Sequence, residues 1–545
     1  MQDDPTEPSK RTARTSGSSL SRFSYSGVGI PASREGVKFA YVAMIPIVVL
    51  TILWYVDIQY RGQIIAGRIE AHRTDFTVFT EAGAALFDGR NLYRVTNPRG
   101  WYYLYPPLFA LLVSPLSFLD SRSQVFIWYL ISIASGFGCY DEACRIWCAV
   151  TFPQARAESR RRRKSNLAIG IGVCAGLTIA LPALDCLQRG QLGIVLVYSL
   201  LLGFRLAMSP GSWFKAGLGG LVLAWPVVVK LIPALPVLCI LLHRWSVVLA
   251  RGGRRQPVSR AAGLSTGLAL GGFLFLFAIP GAAIGWEKNL QYLHEWRSRV
   301  ATNEKIGQDA KFNIDGTGNQ SLTNAVHLFA DTWRGVARTS STDLHRLALD
   351  GEIARRHQAD RITRLVAVAA QLLVLVLLGA VLFKLSRDTG PLAEATMFGL
   401  SCLAVLMISP LAWSHYYVFA LPAVLFVPLW LERQSRPLAA CLAAAGLPML
   451  TWMHYVLKPW FGPVGLLGLG TALWFVAVCA IVLFRTGPST GRLQVPQVSY
   501  SIPRVPGTPL SILGGHGDLG VGETPLLTAV QADHDRSLEA APECC

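Results

Sequence analysis

The sequence predicts an all-α polytopic membrane protein with about twelve transmembrane helices and short helices in its outer loops. Three observations carry this reading. Hydrophobic residues make up 52% of the 545 and charged residues only 15%, at a mean hydropathy of +0.40, which is too apolar for a water-soluble enzyme. The apolar residues gather in runs of about 20, the length that crosses the hydrocarbon core of a bilayer. The net charge of +17 lies in short clusters beside those runs, including "KRTAR", "RRRRK" at 160–164 and "RGGRR" at 251–255. That distribution is the positive-inside pattern and argues against a nucleic-acid partner.

Spans are expected near 38–56, 122–148, 166–182, 191–207, 214–229, 231–249, 259–280, 362–384, 393–409, 415–431, 437–455 and 463–484. Residues 1–37 read as a polar, Ser-rich cytoplasmic leader, 38–484 as the membrane domain, and 485–545 as a Gly-, Pro- and Ser-rich cytoplasmic tail. With the basic N-terminus inside, 57–121 and the long loop 281–361 fall outside, and every short basic loop falls inside. The run "YPPLFALLVSPLSFL" at 105–119 is apolar but short and broken by proline, which suits a segment dipping into the outer leaflet. Eleven cysteines lie mostly inside spans, so no disulfide framework is expected.

Under this topology the unusual polar motifs share the outer face: "RTDFTVFTEAGAALFDGRNLY" at 73–93, "DCLQRGQLG" at 185–193, "VVVKLIP" at 227–233, "GTGNQSL" at 316–322 and "ISPLAWSHYY" at 408–417. Polar groups at membrane depth are costly and tend to face a cavity, so these motifs suggest one outer chamber. Asp75 opens a short amphipathic helix in which Phe76, Phe79, Ala82, Gly83 and Leu86 recur at helical spacing, with Gly89 as its terminator. Its carboxylate is either an N-cap or a functional group, and the aromatic stretch "YRVTNPRGWYYLYPP" beside it suits sugar or lipid headgroups. Glu81, a further candidate for substrate contact, lies about 120° around that helix, so the two carboxylates form no glycosidase pair.

Each remaining candidate has two readings. Lys230 is a snorkelling interfacial lysine or a cation for phosphate; Arg189 is an interfacial anchor or a forked phosphate ligand. His415 is interfacial structure or a contact for a phosphate or hydroxyl. "NQS" at 319–321 matches a glycosylation sequon and also fits polar sugar contacts. No phosphate-binding glycine loop or metal motif occurs, and the carboxylates are too dispersed to argue for a metal site. A polytopic transporter or glycolipid flippase is the competing class, but it predicts charges at the midplane of several spans, whereas these motifs sit at span ends.

The ordered set "DFTVFTEAGAALFDGRNLY", "YLYPPLFALLVSPL", "RGQLGIVLVYSLLLGF", "VVKLIPALPVLCILLHRW", "GNQSL" and "SPLAWSHYYVFALP" resembles glycosyltransferase family 87 of the GT-C superfamily, from about residue 40 to 485. The resemblance implies a GT-C fold and a polyprenyl-phosphate sugar, with mannose the leading sugar, as donor substrate and no separate cofactor. It also implies a glycolipid or glycan acceptor at the extracytoplasmic face of the cell membrane, with membrane lipids around the chain. By position it makes Asp75 the catalytic base, Lys230 a contact for the donor phosphate, and Gln191, Asn319, Gln320 and His415 cavity residues.

Overall fold

The computed structural model describes residues 74–97, 101–151, 161–209, 212–250, 255–298, 317–334, 360–388 and 390–484, all within one compact unit, Arg61–Cys545. The expected leader, first span and tail lie outside the described residues. Among the described residues the architecture is helical: α1 (Phe76–Phe87), α2 (Pro107–Val113, continued by a 3₁₀ turn Ser114–Phe118), α3 (Ser121–Thr151), α4 (Arg161–Arg189), α5 (Gly193–Met208), α6 (Trp213–Val229), α7 (Ala234–Ala250), α8 (Arg255–Phe273), α9 (Ile279–Ile284) and α10 (Trp286–Trp296). Then follow α11 (Leu322–Trp333), α12 (Arg361–Leu385), α13 (Pro391–Ile408), a 3₁₀ turn Ser414–Ala420, α14 (Leu421–Arg433), α15 (Pro437–Val456), α16 (Lys458–Phe461) and α17 (Leu466–Phe484). Every expected span from 122–148 onward coincides with one of these helices. Seven are long and apolar enough to cross a membrane: Ile169–Arg189, Pro257–Ile284, Arg361–Leu385, Pro391–Ile408, Ser414–Arg433, Pro437–Val456 and Leu466–Phe484.

Burial sorts them. α13 and the Ser414–Arg433 segment are almost entirely enclosed, whereas α12 turns Leu365, Val366, Leu372, Val376 and Phe383 outward as a lipid-facing stripe. α2 and its 3₁₀ extension together span 12 residues, about 18 Å of rise, too short to cross about 30 Å of hydrocarbon. Pro107, Leu108, Phe109, Ala110 and Val113 of α2 are buried, and α2 packs on α1, with the Gly83 backbone against Ser114.

The expected outer loop after residue 281 opens with helix α10, tied down by a proline defect. Pro280 has no N–H for the carbonyl of Leu276, and a π-helical turn, Leu274–Ala278, forms just before it. The side chain of Asn289 in α10 donates to that orphaned carbonyl at 2.9 Å. α10 then reaches the first helices: Lys288 Nζ donates to the carbonyl of Leu86 at the end of α1 (3.0 Å), and Trp296 Nε1 to that of Leu104 (3.1 Å).

One end of the bundle is built from basic side chains that cap neighbouring helices. Arg244 donates to Ala207 O (2.9 Å), Arg260 to Met208 O (2.8 Å), Arg433 to Val150 O (2.6 Å) and Lys384 to Leu483 O (2.8 Å). Each target carbonyl lies in the last turn of a helix, where no backbone donor follows and the dipole is negative. Two buried carboxylates share this end: Glu394 pairs with Arg244 at 2.5 Å, and Glu142 with Arg205. A buried charge stripped of its partner is destabilising by about 3–5 kcal/mol. Glu394→Gln is therefore expected to lower the thermal unfolding temperature in detergent, and Arg244→Met with Glu394→Leu to recover most of that loss; equal losses would show that the pair is not what matters there.

Candidate functional site

The other end of the bundle is organised around the last turn of α4. The helix stops at Arg189, and Gly190 reverses the chain with φ +66°, so that Gln191 lies just before α5, which starts at Gly193. A Cβ at Gly190 would lie 2.8 Å from Cβ of Phe76, so glycine is required by both the positive φ and the approach of α1. Phe76 stacks on Trp128 at 4.8 Å, and Trp128 Nε1 donates to the carbonyl of Gly190 (3.0 Å). In that closely packed corner the backbone N–H of Asp75 donates to the carbonyl of Arg189 (2.9 Å), and Gln191 Nε2 donates to the Asp75 carboxylate (2.7 Å).

Asp75 occupies the N-cap position of α1, but its side chain makes no capping bond. The carboxylate turns to Gln191 instead, and Asp75 stays half-buried while Thr74 and Phe76 on either side are buried. Of the two readings open from sequence, the structure therefore disfavours the cap. The Oε1 atom of Gln191 is buried with no hydrogen-bond partner among the described residues.

Four residues further back on α4 stands a carboxylate that sequence reasoning did not single out. Asp185, with its side chain 11% exposed, accepts from Arg189 Nε (2.6 Å), Ser414 Oγ (3.2 Å) and the Tyr455 hydroxyl (3.1 Å). His415 Nδ1 faces it at 3.8 Å, and His415 Nε2 is buried without a hydrogen-bond partner among the described residues. The i,i+4 spacing of Asp185 and Arg189 is the signal that marks this pair in the sequence.

Lys230 closes the group. It follows α6 in extended backbone, and its ammonium contacts the Tyr416 hydroxyl and lies 3.4 Å from that of Tyr105. It also lies over the Tyr416 ring, 3.9 Å from the centroid, as a cation–π pair. Burial pushes its pKa down to about 7, opposed by the nearby Cys186 thiol and the Asp75 carboxylate. Burial, and next Asp75, push the Tyr105 hydroxyl upward. Asp75, Arg189, Gln191, Lys230 and His415 are thus brought together, with Asp185, Tyr105, Tyr416 and Tyr455 as additional members.

The structure places the remaining candidates apart from this group. Glu81 is half-exposed and lies 3.8 Å from Arg90, on the solvent side of α1 and outside the group. Asn319 and Gln320 are fully buried and serve the backbone. The Asn319 side chain accepts from Ala412 N (2.9 Å) and Ser321 N (3.1 Å) and donates to Pro410 O (3.2 Å). The Gln320 side chain donates to Thr317 O (2.7 Å) and accepts from Gly468 N (3.3 Å). The Asn319 side chain and the Gln320 backbone N–H, which donates to Ala412 O (2.7 Å), brace the 409–414 turn just before His415. The aromatic stretch is likewise mostly packing: Tyr93 and Tyr103 are buried, and the Tyr103 hydroxyl donates to Pro106 O (2.8 Å) and accepts from Ala110 N (2.9 Å). Among its described residues only Tyr105 is hydrogen-bonded to Lys230. Among the described residues no three His, Cys, Asp or Glu side chains are grouped to hold a metal ion.

The model of glycosyltransferase family 87 matches residues 103–410, more than half of the chain, and includes Asp185, Arg189, Gln191 and Lys230. Asp75 and His415 lie beyond its two ends. A polyprenol-phosphate-mannose-dependent alpha-(1-2)-phosphatidylinositol mannoside mannosyltransferase of Mycolicibacterium smegmatis is 25% identical over 424 residues, covering 75% of this chain and 82% of that protein. The protein of the same description from Mycobacterium tuberculosis is 25% identical over 410 residues, covering 72% and 80%. No solved structure matches the chain.

The bracing role of Asn319 has a direct consequence. Asn319→Ala strands the buried N–H groups of Ala412 and Ser321, each worth about 1–3 kcal/mol when left unpaired. Its thermal unfolding temperature in detergent is expected to fall well below wild type, whereas an unchanged value would contradict the bracing role.

Proposed function

The chain belongs to glycosyltransferase family 87, and on that premise we propose that it moves a mannosyl group from a polyprenyl-phosphate donor to a glycolipid acceptor, with inversion and with Asp75 as general base. The observation that carries this is the Asp75 carboxylate, turned away from its own helix and held by Gln191 within electrostatic reach of Lys230. Both curated relatives are named for a polyprenol-phosphate-mannose donor and a phosphatidylinositol mannoside acceptor, which supports the choice of mannose and of an acceptor that is itself a glycolipid.

The chemistry follows from the groups present. An acceptor hydroxyl is a poor nucleophile at neutral pH, and Asp75 takes its proton as the oxygen bonds to the anomeric carbon. The bond from that carbon to the phosphate oxygen breaks on the opposite side, and its electron pair leaves with the lipid phosphate. A β-linked donor therefore gives an α-linked product. Lys230 meets the charge on the leaving phosphate, and the N–H groups of Arg189 not bound to Asp185 add a second cation. The Tyr105 and Tyr416 hydroxyls hold the ammonium in place. Gln191 Oε1 and His415 Nε2 supply buried polar atoms for substrate hydroxyls or phosphate oxygens.

The distribution of cations supports an extracytoplasmic site. Arg244, Arg260, Arg433 and Lys384 cap helices at the end opposite Asp75, and the positive-inside rule places that end in the cytoplasm. A lipid-carried donor suits the outer face, where nucleotide sugars are lacking.

Transfer of radiolabelled mannose from polyprenyl-phosphate-mannose to a phosphatidylinositol mannoside is the test. Asp75→Asn is expected to lose about 100-fold or more of the rate at matched expression; wild-type transfer by that variant would remove Asp75 from the role. Lys230→Met is expected to raise KM for the donor about tenfold or more, the value of one charge-assisted contact. The pH dependence has a defined sign: Lys230 is charged below about pH 7 in the empty site and neutral above it, so kcat/KM for the donor falls as pH rises through that value. Lys230→Arg, whose guanidinium stays charged, is expected to flatten that fall; an unchanged profile would argue against phosphate recognition by Lys230.

A further inference from the structure

Helix α11 (Leu322–Trp333) takes no part in the mechanism above, yet it carries apolar residues on two faces. Asn324, Ala325, His327 and Leu328 are buried against the bundle, where α11 packs on α12 and α17. Val326, Phe329, Ala330 and Trp333 recur at i, i+3, i+4 and i+7 on the other side, and that side is open. Phe329 is 46% and Trp333 83% exposed, with their rings stacked at 6.4 Å.

The position of α11 in the bundle identifies what covers this face. Its first half lies on the start of α17, where a Cβ at Gly465 or Gly468 would come within 2.7 Å of Ala325. Its second half is tied to the start of α12: Arg334 pairs with Asp360 and donates to Thr363 Oγ1 (3.3 Å). Thr332 Oγ1 donates to the carbonyl of Pro463, just before α17 (2.9 Å). α12 and α17 pack together and run in the same direction, because Lys384 near the end of α12 donates to Leu483 O near the end of α17. α11 therefore lies across the starts of two parallel spans, at one level of the bilayer. Its 12 residues rise about 18 Å, too short to cross about 30 Å of hydrocarbon. α12, with 25 residues, rises about 37 Å and overreaches that thickness, so its first turn sits at the hydrocarbon edge. From that turn α12 shows Ile362, Leu365 and Val366 to lipid, and Trp333, beside Arg334, brings the open face of α11 to this stripe. Trp460, 76% exposed, stands in the short helix just before the same junction.

We propose that α11 is an in-plane membrane helix whose Val326, Phe329, Ala330 and Trp333 face is seated among phospholipids, at the boundary of acyl chains and headgroups. Indole and phenyl rings favour that depth, where their apolar bodies leave water while neighbouring polar groups stay wet. A second copy of the chain fits less well, since four side chains on one short helix are small beside the roughly 800 Å² per partner of a stable interface. The contact also bears on the site. Ser321 caps α11, and Asn319 and Gln320 just before it brace the 409–414 turn, so phospholipid on the open face holds that brace from outside the bundle. This placement does not depend on the roles assigned to Asp75 and Lys230.

The test replaces Phe329 or Trp333, one at a time, by the photocrosslinking amino acid p-benzoyl-phenylalanine in the full-length chain. Each protein is reconstituted in vesicles of phosphatidylethanolamine and phosphatidylglycerol with tritiated acyl chains. The same replacement of Leu372, on the lipid-facing stripe of α12, and of Glu81, on the solvent side of α1, gives the two reference yields. All four side chains lie on the surface, and thermal unfolding checks that each variant is folded. After illumination, tritium bound to the protein from positions 329 and 333 is expected within about twofold of the Leu372 reference and about tenfold or more above the Glu81 reference. A yield nearer the Glu81 reference overturns the proposal. In that case a crosslinked dimer would identify a second copy as the occupant, and a crosslink within the chain would identify another segment of the protein.

Discussion

The site depends on one junction, where the end of α4 meets the start of α1. Asp75 is bound twice there, through its backbone to Arg189 and through its carboxylate to Gln191, and both bonds require the reversal at Gly190. The packing of Phe76 on Trp128 holds the two elements at that distance. Neither α1 nor the turn after α4 could orient a carboxylate alone, because an isolated short helix is marginal and an N-terminal aspartate would fold back to cap it. Tertiary contact overrides that local preference. A half-buried carboxylate with a fixed orientation is the arrangement that proton transfer needs.

The two ends of the bundle use their cations differently. At one end Arg244, Arg260, Arg433 and Lys384 neutralise helix C-termini. At the other, Lys230 sits among tyrosines and Arg189 is engaged by Asp185. The first set saturates backbone carbonyls and contributes to assembly. The second leaves a lysine whose charge is weakened by burial, as the proposed contact with a lipid phosphate would use.

Much of this was legible in the sequence, for identifiable reasons. Helices that face lipid or the core announce themselves by length and hydropathy, so the spans from 122–148 onward were found close to their observed bounds. The helical recurrence of Phe76, Phe79, Ala82, Gly83 and Leu86 gave α1, and all five are buried. The motifs holding Asp75, Arg189, Gln191, Lys230 and His415 were expected to meet, and they do. What sequence could not supply was the use of each polar side chain. Asn319 and Gln320 lie in a promising polar motif, but whether an amide faces a ligand or a backbone carbonyl is decided by the chain opposite it, here 409–414 and Gly468. Glu81 shares a helix with Asp75 but faces solvent and Arg90. An acid followed by an arginine four residues later is common on helix surfaces, so Asp185 carries no special signal in the sequence; the approach of Ser414 and Tyr455 makes it a buried hub.

Family membership makes the chain a glycosyltransferase, and the proposed mechanism assigns Asp75 as its base and Lys230 and Arg189 as cations for the phosphate. The central claim is a direct displacement at the anomeric carbon by a hydroxyl that Asp75 deprotonates. The most direct test is the anomeric configuration of the product formed by purified wild-type protein from synthetic β-linked polyprenyl-phosphate-mannose and a phosphatidylinositol mannoside, read by α-mannosidase sensitivity and by the coupling constant of the new anomeric proton-bearing carbon. A product that is wholly α-linked is the predicted result. A β-linked product would mean two displacements or a covalent intermediate, and would contradict the single-step, base-assisted transfer assigned to Asp75.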